Sequence, residues 1–299
     1  MTLGELARLV TRHADRGTTD LFDGAQVARV ASPGAPESAM TGVVFALIAA
    51  GEKTLVLGDR ELRYGPGQYL VASLDLPVTG QFTRASRAEP ALGFGLRLRP
   101  SVVAELLLHP SARDFARHGR GASAPPALAV STAPAELVDA VVRMVRLADR
   151  PRDRAVLQPM LEREVLWLLM TGPQGETVRQ LGLSDSSLSS VGRAVRWLRE
   201  HYAQPVRVDD LAAIAAMSPS AFHRSFAAVT AMSPIQFQKR IRLQEARLRL
   251  LADPADVAGI GHSVGYESAS QFSREYRRLF GLPPGRDALR MRAEARAAG

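Results

Sequence analysis

Between Val208 and Pro284 the chain writes one pattern twice, and a repeat of this size constrains the fold more tightly than composition can. The first copy reads VDDLAAIAAMSPSAFHRSF and the second VAGIGHSVGYESASQFSREY. Leu211 and Ile214 recur 46 residues later as Val257 and Ile260. Ser218, Phe222, Arg224, Phe226, Met232 and Pro234 recur 50 residues later as Ser268, Phe272, Arg274, Tyr276, Leu282 and Pro284. This spacing predicts two helix-turn-helix units, with four extra residues in the second turn.

Each copy begins its second helix with a serine suited to cap it, Ser218 or Ser268, and Pro219 stands at the first helical position of copy one. Phe222 and Phe226, like Phe272 and Tyr276, are four apart and so share one helix face, which predicts a buried aromatic stripe. Ser220, His223 and Arg224 then point elsewhere in copy one, as do Ala269, Ser270, Gln271 and Arg274 in copy two. Short polar side chains with an arginine near a helix N-terminus suit base edges in a major groove. Together with Ser218 and Ser268 they are the candidate contacts to double-stranded DNA, and Arg240 and Arg277 are candidate phosphate contacts.

From about Gly192 to Leu289 the chain resembles the DNA-binding domain of AraC-type transcriptional regulators. The resemblance is carried by LAAIAAMSPSAFHRSF, SPIQFQKRIRLQEARLRLL and GYESASQFSREYRRLFGLPP. Arg242, Ala246, Leu250 and Leu251 match the family's connecting helix, and Gly265, Tyr266, Phe272, Arg274, Pro283 and Pro284 match its second unit. It implies binding to promoter or operator DNA, and contact with RNA polymerase if the protein activates. Ser220 and Ala269 are small where some members carry large base-contacting side chains, so the resemblance transfers no operator sequence.

Charge follows the same division. From Ser187 onward lie 17 of the 38 Lys and Arg residues and 10 of the 30 Asp and Glu, a balance of +7 against +1 for the remainder. Excess positive charge on that half is the footprint expected for phosphate contact.

Upstream, residues 1–20 read as a short amphipathic helix with Leu3, Leu6, Leu9 and Val10 on one side, ending near Gly17. Short β-branched and aromatic runs follow: Gln26–Val30, Val43–Ala49, Lys53–Leu57, Arg60–Tyr64, Gln68–Ser73, Val78–Thr83 and Leu92–Leu98. Gly58-Asp59 and Gly65-Pro66-Gly67 mark tight turns. Seven short strands at this spacing predict a small barrel or sandwich. The segment LVLGDRELRYGPGQYLVASLDLPVTGQ resembles the cupin-like N-terminal domain of one subgroup of AraC-type regulators, which implies ligand sensing and dimerisation. The fold class expected is therefore α+β: a cupin-like β-barrel with flanking helices, then an all-α domain of two helix-turn-helix units joined by the connecting helix Pro234–Leu251.

A barrel that holds a small-molecule effector lines it with alternate strand residues. The candidates are Tyr69 and Val71, Phe82 and Arg84, Phe94 and Leu96, and Phe45, with Arg84 the one charge able to orient a polar or anionic ligand. Residues 26–98 contain no histidine, and the six histidines (His13, His109, His118, His201, His223, His262) are scattered, which disfavours a metal-dependent cupin enzyme. Neither a metal nor a cofactor is expected. The absence of cysteine excludes disulfides and thiol-based sensing. A second alternative, a constitutive architectural DNA-binding protein, would have a barrel filled by its own side chains.

Helices are expected over Ser101–Leu108, Pro134–Ala148 and Asp153–Met170, with a loop at Gly119–Pro126. Leu157, Leu161, Val165, Leu168 and Leu169 are candidates to share their apolar face between capping the barrel and a second subunit of a homodimer. The domain boundaries expected are 1–170 for the barrel domain, 171–190 for a linker in which Gln180–Leu183 could be a docked turn, and 191–299 for the DNA-binding domain. The latter starts with a helix over Val191–His201, and Asp287–Gly299 forms a short helical or frayed tail. No apolar run reaches the length of a membrane span and the opening segment lacks a signal-peptide core, so a cytoplasmic location is expected.

Overall fold

Glycine turns cut the first half of the chain into short extended runs, and among the described residues these pair into ten strands. The computed structural model describes residues 2–15, 17–112, 125–183 and 186–298, so His118 and most of the Gly119–Pro126 loop lie outside the described residues. The strands are β1 (Gly17–Phe22), β2 (Ala25–Val30), β3 (Glu37–Met40), β4 (Val44–Ala50), β5 (Glu52–Leu57), β6 (Arg60–Tyr64), β7 (Gln68–Ala72), β8 (Pro77–Arg84), β9 (Ala91–Arg97) and β10 (Leu128–Thr132). They pair antiparallel into a six-stranded sheet, β1-β2-β9-β4-β7-β10, and a four-stranded sheet, β3-β8-β5-β6. The expected barrel thus takes the form of two facing sheets that do not close on each other. Gly58, at φ +65°, makes the tight β5–β6 hairpin.

Three strands were not expected. β1 and β3 are edge strands with no fully buried residue, so they carry little apolar alternation. β10 forms by pairing with β7 more than fifty residues away, Leu128 opposite Ala72, which no local pattern announces.

A helical layer covers the outer face of the six-stranded sheet. α1 (Leu3–His13) is capped by Thr2, whose hydroxyl accepts from the Glu5 amide, and ends a few residues before the expected Gly17. α1 places Leu6 and Val10, α3 (Ala135–Arg146) Val141 and Val145, and α4 (Pro151–Thr171) Val165 and Leu169 in one core with Phe45, Tyr69 and Phe94. Leu161, Val165 and Leu169 are buried there and Leu157 and Leu168 pack against it, so the stripe considered for a second subunit is covered within its own unit. What α4 leaves exposed is Val156 and Met160. The carboxylate of buried Glu162 on α4 accepts two bonds from Arg99, the residue preceding α2 (Pro100–Leu107).

Part of the segment expected as a linker is helical. α5 (Gly175–Leu181) docks on α2 so closely that a Cβ at Gly182 would stand 2.7 Å from the Ala104 amide nitrogen. α6 (Ser187–Glu200) starts four residues before the expected position. The chain divides into two compact units, 1–191 with 225–231, and 192–224 with 232–299.

The remaining helices are α7 (Val208–Ile214), α8 (Pro219–Thr230), α9 (Pro234–Ala252), α10 (Val257–Ser263), α11 (Ala269–Phe280) and α12 (Pro284–Ala298), the last longer than the expected tail. They correct the register of the repeat. α10 begins and ends 49 residues after α7, and the turn bonds follow the same offset: Met217 N donates to Ala212 O, and Tyr266 N to Gly261 O. Leu211 therefore corresponds to Ile260, and the second turn holds one extra residue, Glu267, instead of four. The apolar spacing misled by one helical turn, because Val257 and Ile260 present the same face at i and i+3.

Both copies turn through left-handed residues. Ala216 and Ala231 have φ of 54° and 55° in copy one, where Gly265 and Gly281 have φ of 93° and 80° in copy two. Gly265 is further constrained, since a Cβ would lie 2.2 Å from the Ala203 carbonyl oxygen and 2.8 Å from Cζ of Arg242. That guanidinium, on α9, donates from Nε to Tyr202 O (2.6 Å), from Nη1 to Gly265 O (2.7 Å) and from Nη2 to Gln204 O (3.0 Å). Arg193 on α6 does the same for the first turn, donating to the carbonyls of Ile214 and Ala215. Asp287 on α12, fully buried, accepts from Arg247 (2.8 Å), Arg290 (2.7 Å) and Tyr276 (2.9 Å), which ties α9 and α11 to the last helix.

Two outcomes follow for denaturant unfolding of the full chain. Gly281→Ala, with open space around its Cβ, costs about 1 kcal/mol of left-handed strain; Gly265→Ala costs several times more, because backbone must move, and equal losses would contradict the clamp. Asp287→Asn leaves two arginines facing a neutral group and costs about 3 kcal/mol, read as an earlier transition of the helical unit with that of the β unit unmoved.

Candidate nucleic-acid interface and effector cavity

The buried aromatic stripe fixes what the two second helices can show to solvent. Phe222 and Phe226 on α8, and Phe272 and Tyr276 on α11, are fully buried. In copy two the close approach depends on Gly261, whose Cβ would touch the Phe272 ring at 3.0 Å, and copy one has the small Ala212 at the corresponding place. With that face occupied, Ser220, His223 and Arg224 on α8 and Ala269, Ser270, Arg274 and Arg277 on α11 are exposed.

The candidates are not equally available. Ser218 and Ser268 cap α8 and α11, their hydroxyls accepting from the amides of Ala221 and Gln271, and Ser268 also bonds Ser270 at 2.9 Å. Gln271 is partly buried and donates to Glu275 at 3.2 Å. Glu275 is itself held by Lys239 (2.7 Å) and the Tyr266 hydroxyl (2.9 Å). Burial alone would raise the Glu275 pKa; these hydrogen bonds outweigh it and hold the carboxyl below its ordinary value. Arg240 on α9 is only partly exposed and burial lowers its pKa, which separates it from the open Arg224, Arg274 and Arg277.

The β unit holds a cavity of about 430 Å³ between its two sheets. It lies on the face of the six-stranded sheet opposite to most of the candidates placed there, because side chains alternate across a strand. Phe45, Tyr69, Val71, Phe94 and Leu96 lie in the core under the helical layer, although Phe94 also borders the cavity. The residues between them, Val44, Ala46, Leu70, Gly93 and Gly95, face the cavity. Of the seven candidates Phe82 lines it, and Arg84 is exposed and does not. The residues missed are Lys53 and Tyr64. The motif GFGL in β9 held a usable signal: its phenylalanine and leucine need a packed layer, whereas its glycines leave room.

Among the described residues no three His, Cys, Asp or Glu side chains gather as metal ligands, and no helix is long and apolar enough to cross a membrane.

Comparison with known proteins matches both halves. Residues 22–177 match the family model described as AraC-type transcriptional regulator N-terminus, and 211–289 match a helix-turn-helix domain. A putative AraC-like transcription regulator of Streptomyces lividans is 36% identical over 104 residues, 35% of this chain and 33% of its own length. The transcriptional activator RhaS of Escherichia coli is 27% identical over 154 residues, 50% of this chain and 55% of its own. The chain thus spans about a third to a half of the length of these relatives. ToxT of Vibrio cholerae, solved with an unsaturated fatty acid bound, shares the fold at a TM-score of 0.55 and 9% identity, covering 87% of this chain and 92% of that one. On a family match that spans more than half of its length, the chain belongs to the AraC-type transcriptional regulators.

Proposed function

We propose that this chain is a sequence-specific DNA-binding transcription regulator controlled by a small-molecule effector. The observation that carries the reading is the duplicated helix-turn-helix: two helices of one register, each with its aromatic face buried and an arginine-bearing face exposed. Held on one connecting helix, two such helices enter successive major grooves about 34 Å apart on one face of the duplex. Arg224 and Arg274 are the base or phosphate contacts, with Ser220, His223, Ala269 and Ser270 beside them, and Arg277 reaches phosphate. Ser218, Ser268 and Gln271 act mainly by fixing the helix starts, and Arg240 is the weakest of the candidates.

The inter-sheet cavity of the N-terminal unit is the effector site of this reading, within the range of volume that small-molecule sites occupy. An effector regulates only through a differential affinity for DNA-competent and DNA-incompetent states. The domain limits we favour are an effector-binding unit up to about residue 170, a connection over 171–190 and a DNA-binding domain from 191. A homodimer, RNA polymerase as partner of an activator, a cytoplasmic location and the lack of enzymatic activity belong to the same proposal, supported by relatives named as transcription regulators.

The test is binding to the gene's own upstream DNA, titrated against salt and scrambled sequence. Arg224→Ala and Arg274→Ala each weaken specific binding by about 1–3 kcal/mol as base contacts, or reduce the salt slope by about one as phosphate contacts. Unchanged affinity and slope in both variants removes these residues from the interface; equal binding to scrambled and selected DNA favours an architectural role.

A further inference from the structure

The four-stranded sheet brings three side chains into one row on the cavity wall. Tyr64 on β6 pairs with Lys53 on β5, and Lys53 pairs with Phe82 on β8, so all three project toward the same space. The lysine stem passes beside Gly80, where a Cβ would be 3.5 Å from Lys53 Cε and 2.8 Å from Leu55 Cδ2. The ammonium sits 5.0 Å from the centroid of the Phe82 ring. Around the row the cavity is largely apolar, lined by Val44, Ala46, Ile48, Leu55, Leu70 and Val78.

Neither polar group in the row is satisfied by the fold. Among the described residues Lys53 forms no hydrogen bond or ion pair, and the hydroxyl of Tyr64, a residue 2% exposed, forms no hydrogen bond. Burial lowers the Lys53 pKa and raises that of Tyr64. Glu37, the one acidic side chain among the lining residues, is exposed and too far from Lys53 for an ion pair, and solvent screens its pull. A desolvated ammonium beside a buried, unpaired hydroxyl is costly unless something anionic completes it.

We propose that the cavity binds an organic carboxylate with a medium-length apolar tail, its carboxylate paired with the Lys53 ammonium and accepting from the Tyr64 hydroxyl. One cation and one hydroxyl side by side suit a monoanion. The tail lies along β9 at Gly93. This rests on the reading of the cavity as the effector site, and gives that site its ligand class.

Isothermal titration of the full chain with octanoate, octanamide and octylamine tests it, together with Lys53→Met and with Gly93→Leu, which fills the cavity from the opposite sheet. Octanoate binds at one site about ten- to a hundredfold more tightly than octanamide, and octylamine more weakly still. Lys53→Met brings octanoate and octanamide to within about twofold and keeps a melting temperature at or above that of the unsubstituted chain, while Gly93→Leu abolishes binding of both. Octanoate and octanamide binding alike to the unsubstituted chain, with loss in Gly93→Leu, overturns the carboxylate anchor and leaves the cavity as a ligand site. No binding of any probe, or binding unaffected by Gly93→Leu, overturns the carboxylate proposal and the cavity reading together.

Discussion

The helical unit depends on one guanidinium placed where three segments meet. Arg242 extends from the connecting helix and donates to backbone carbonyls at Tyr202, Gln204 and Gly265. Carbonyls at helix ends and turns lack intrahelical donors, and a fixed fork of donors satisfies several at once. The clamp ties the end of the first helix to the turn of the second helix-turn-helix, and Gly265 has no room for a side chain because the backbone of Ala203 is already there. Arg193 performs the same service for the first turn, so each recognition helix is preceded by a turn whose carbonyls an arginine holds. Many of the arginines of this half therefore build the domain, and its net charge overstates what is left to meet phosphate.

Buried polar networks also tie the helical unit together. In the helical unit the buried Asp287 is met by three donors, and Glu275 by Lys239, Gln271 and Tyr266. Such networks rigidify the elements they join. Glu275 thereby fixes Gln271 near the start of α11, so the face offered by that helix is set by residues that need touch nothing outside the protein. In the β unit the core under the helical layer is packed, and the inner space keeps Lys53 and Tyr64, which among the described residues form no hydrogen bond or ion pair. The packed layer supports one face of the six-stranded sheet, and the cavity lies on the other.

Much of this was legible beforehand, in proportion to how local the signal was. The repeat, its capping serines and the Phe222, Phe226, Phe272 and Tyr276 stripe depend on spacings of three to four residues and are found where expected. The alignment of the first short helices was off by three residues, because an apolar face repeats at each turn and periodicity alone cannot choose among turns. Seven strands were seen in the sequence; β1, β3 and β10 were not, since edge strands need little apolar alternation and β10 depends on a distant partner. Five of the seven effector candidates lie in the core under the helical layer, and of these Phe94 alone also borders the cavity, as period two defines two faces without saying which meets the helical layer.

The sequence by itself determined the local periodicities, the duplicated motif, the turn residues and the charge asymmetry, because each is set by neighbours a few residues apart. It also carried the family resemblance that the comparisons bear out. Only the tertiary structure decided which face of each strand looks into the cavity, which arginines are consumed by carbonyls and carboxylates, and that Lys53 stands in a row with Tyr64 and Phe82. Those outcomes rest on pairing between strands and helices far apart in the chain. A residue's role there follows from what is brought opposite it, and that is not written within its own segment.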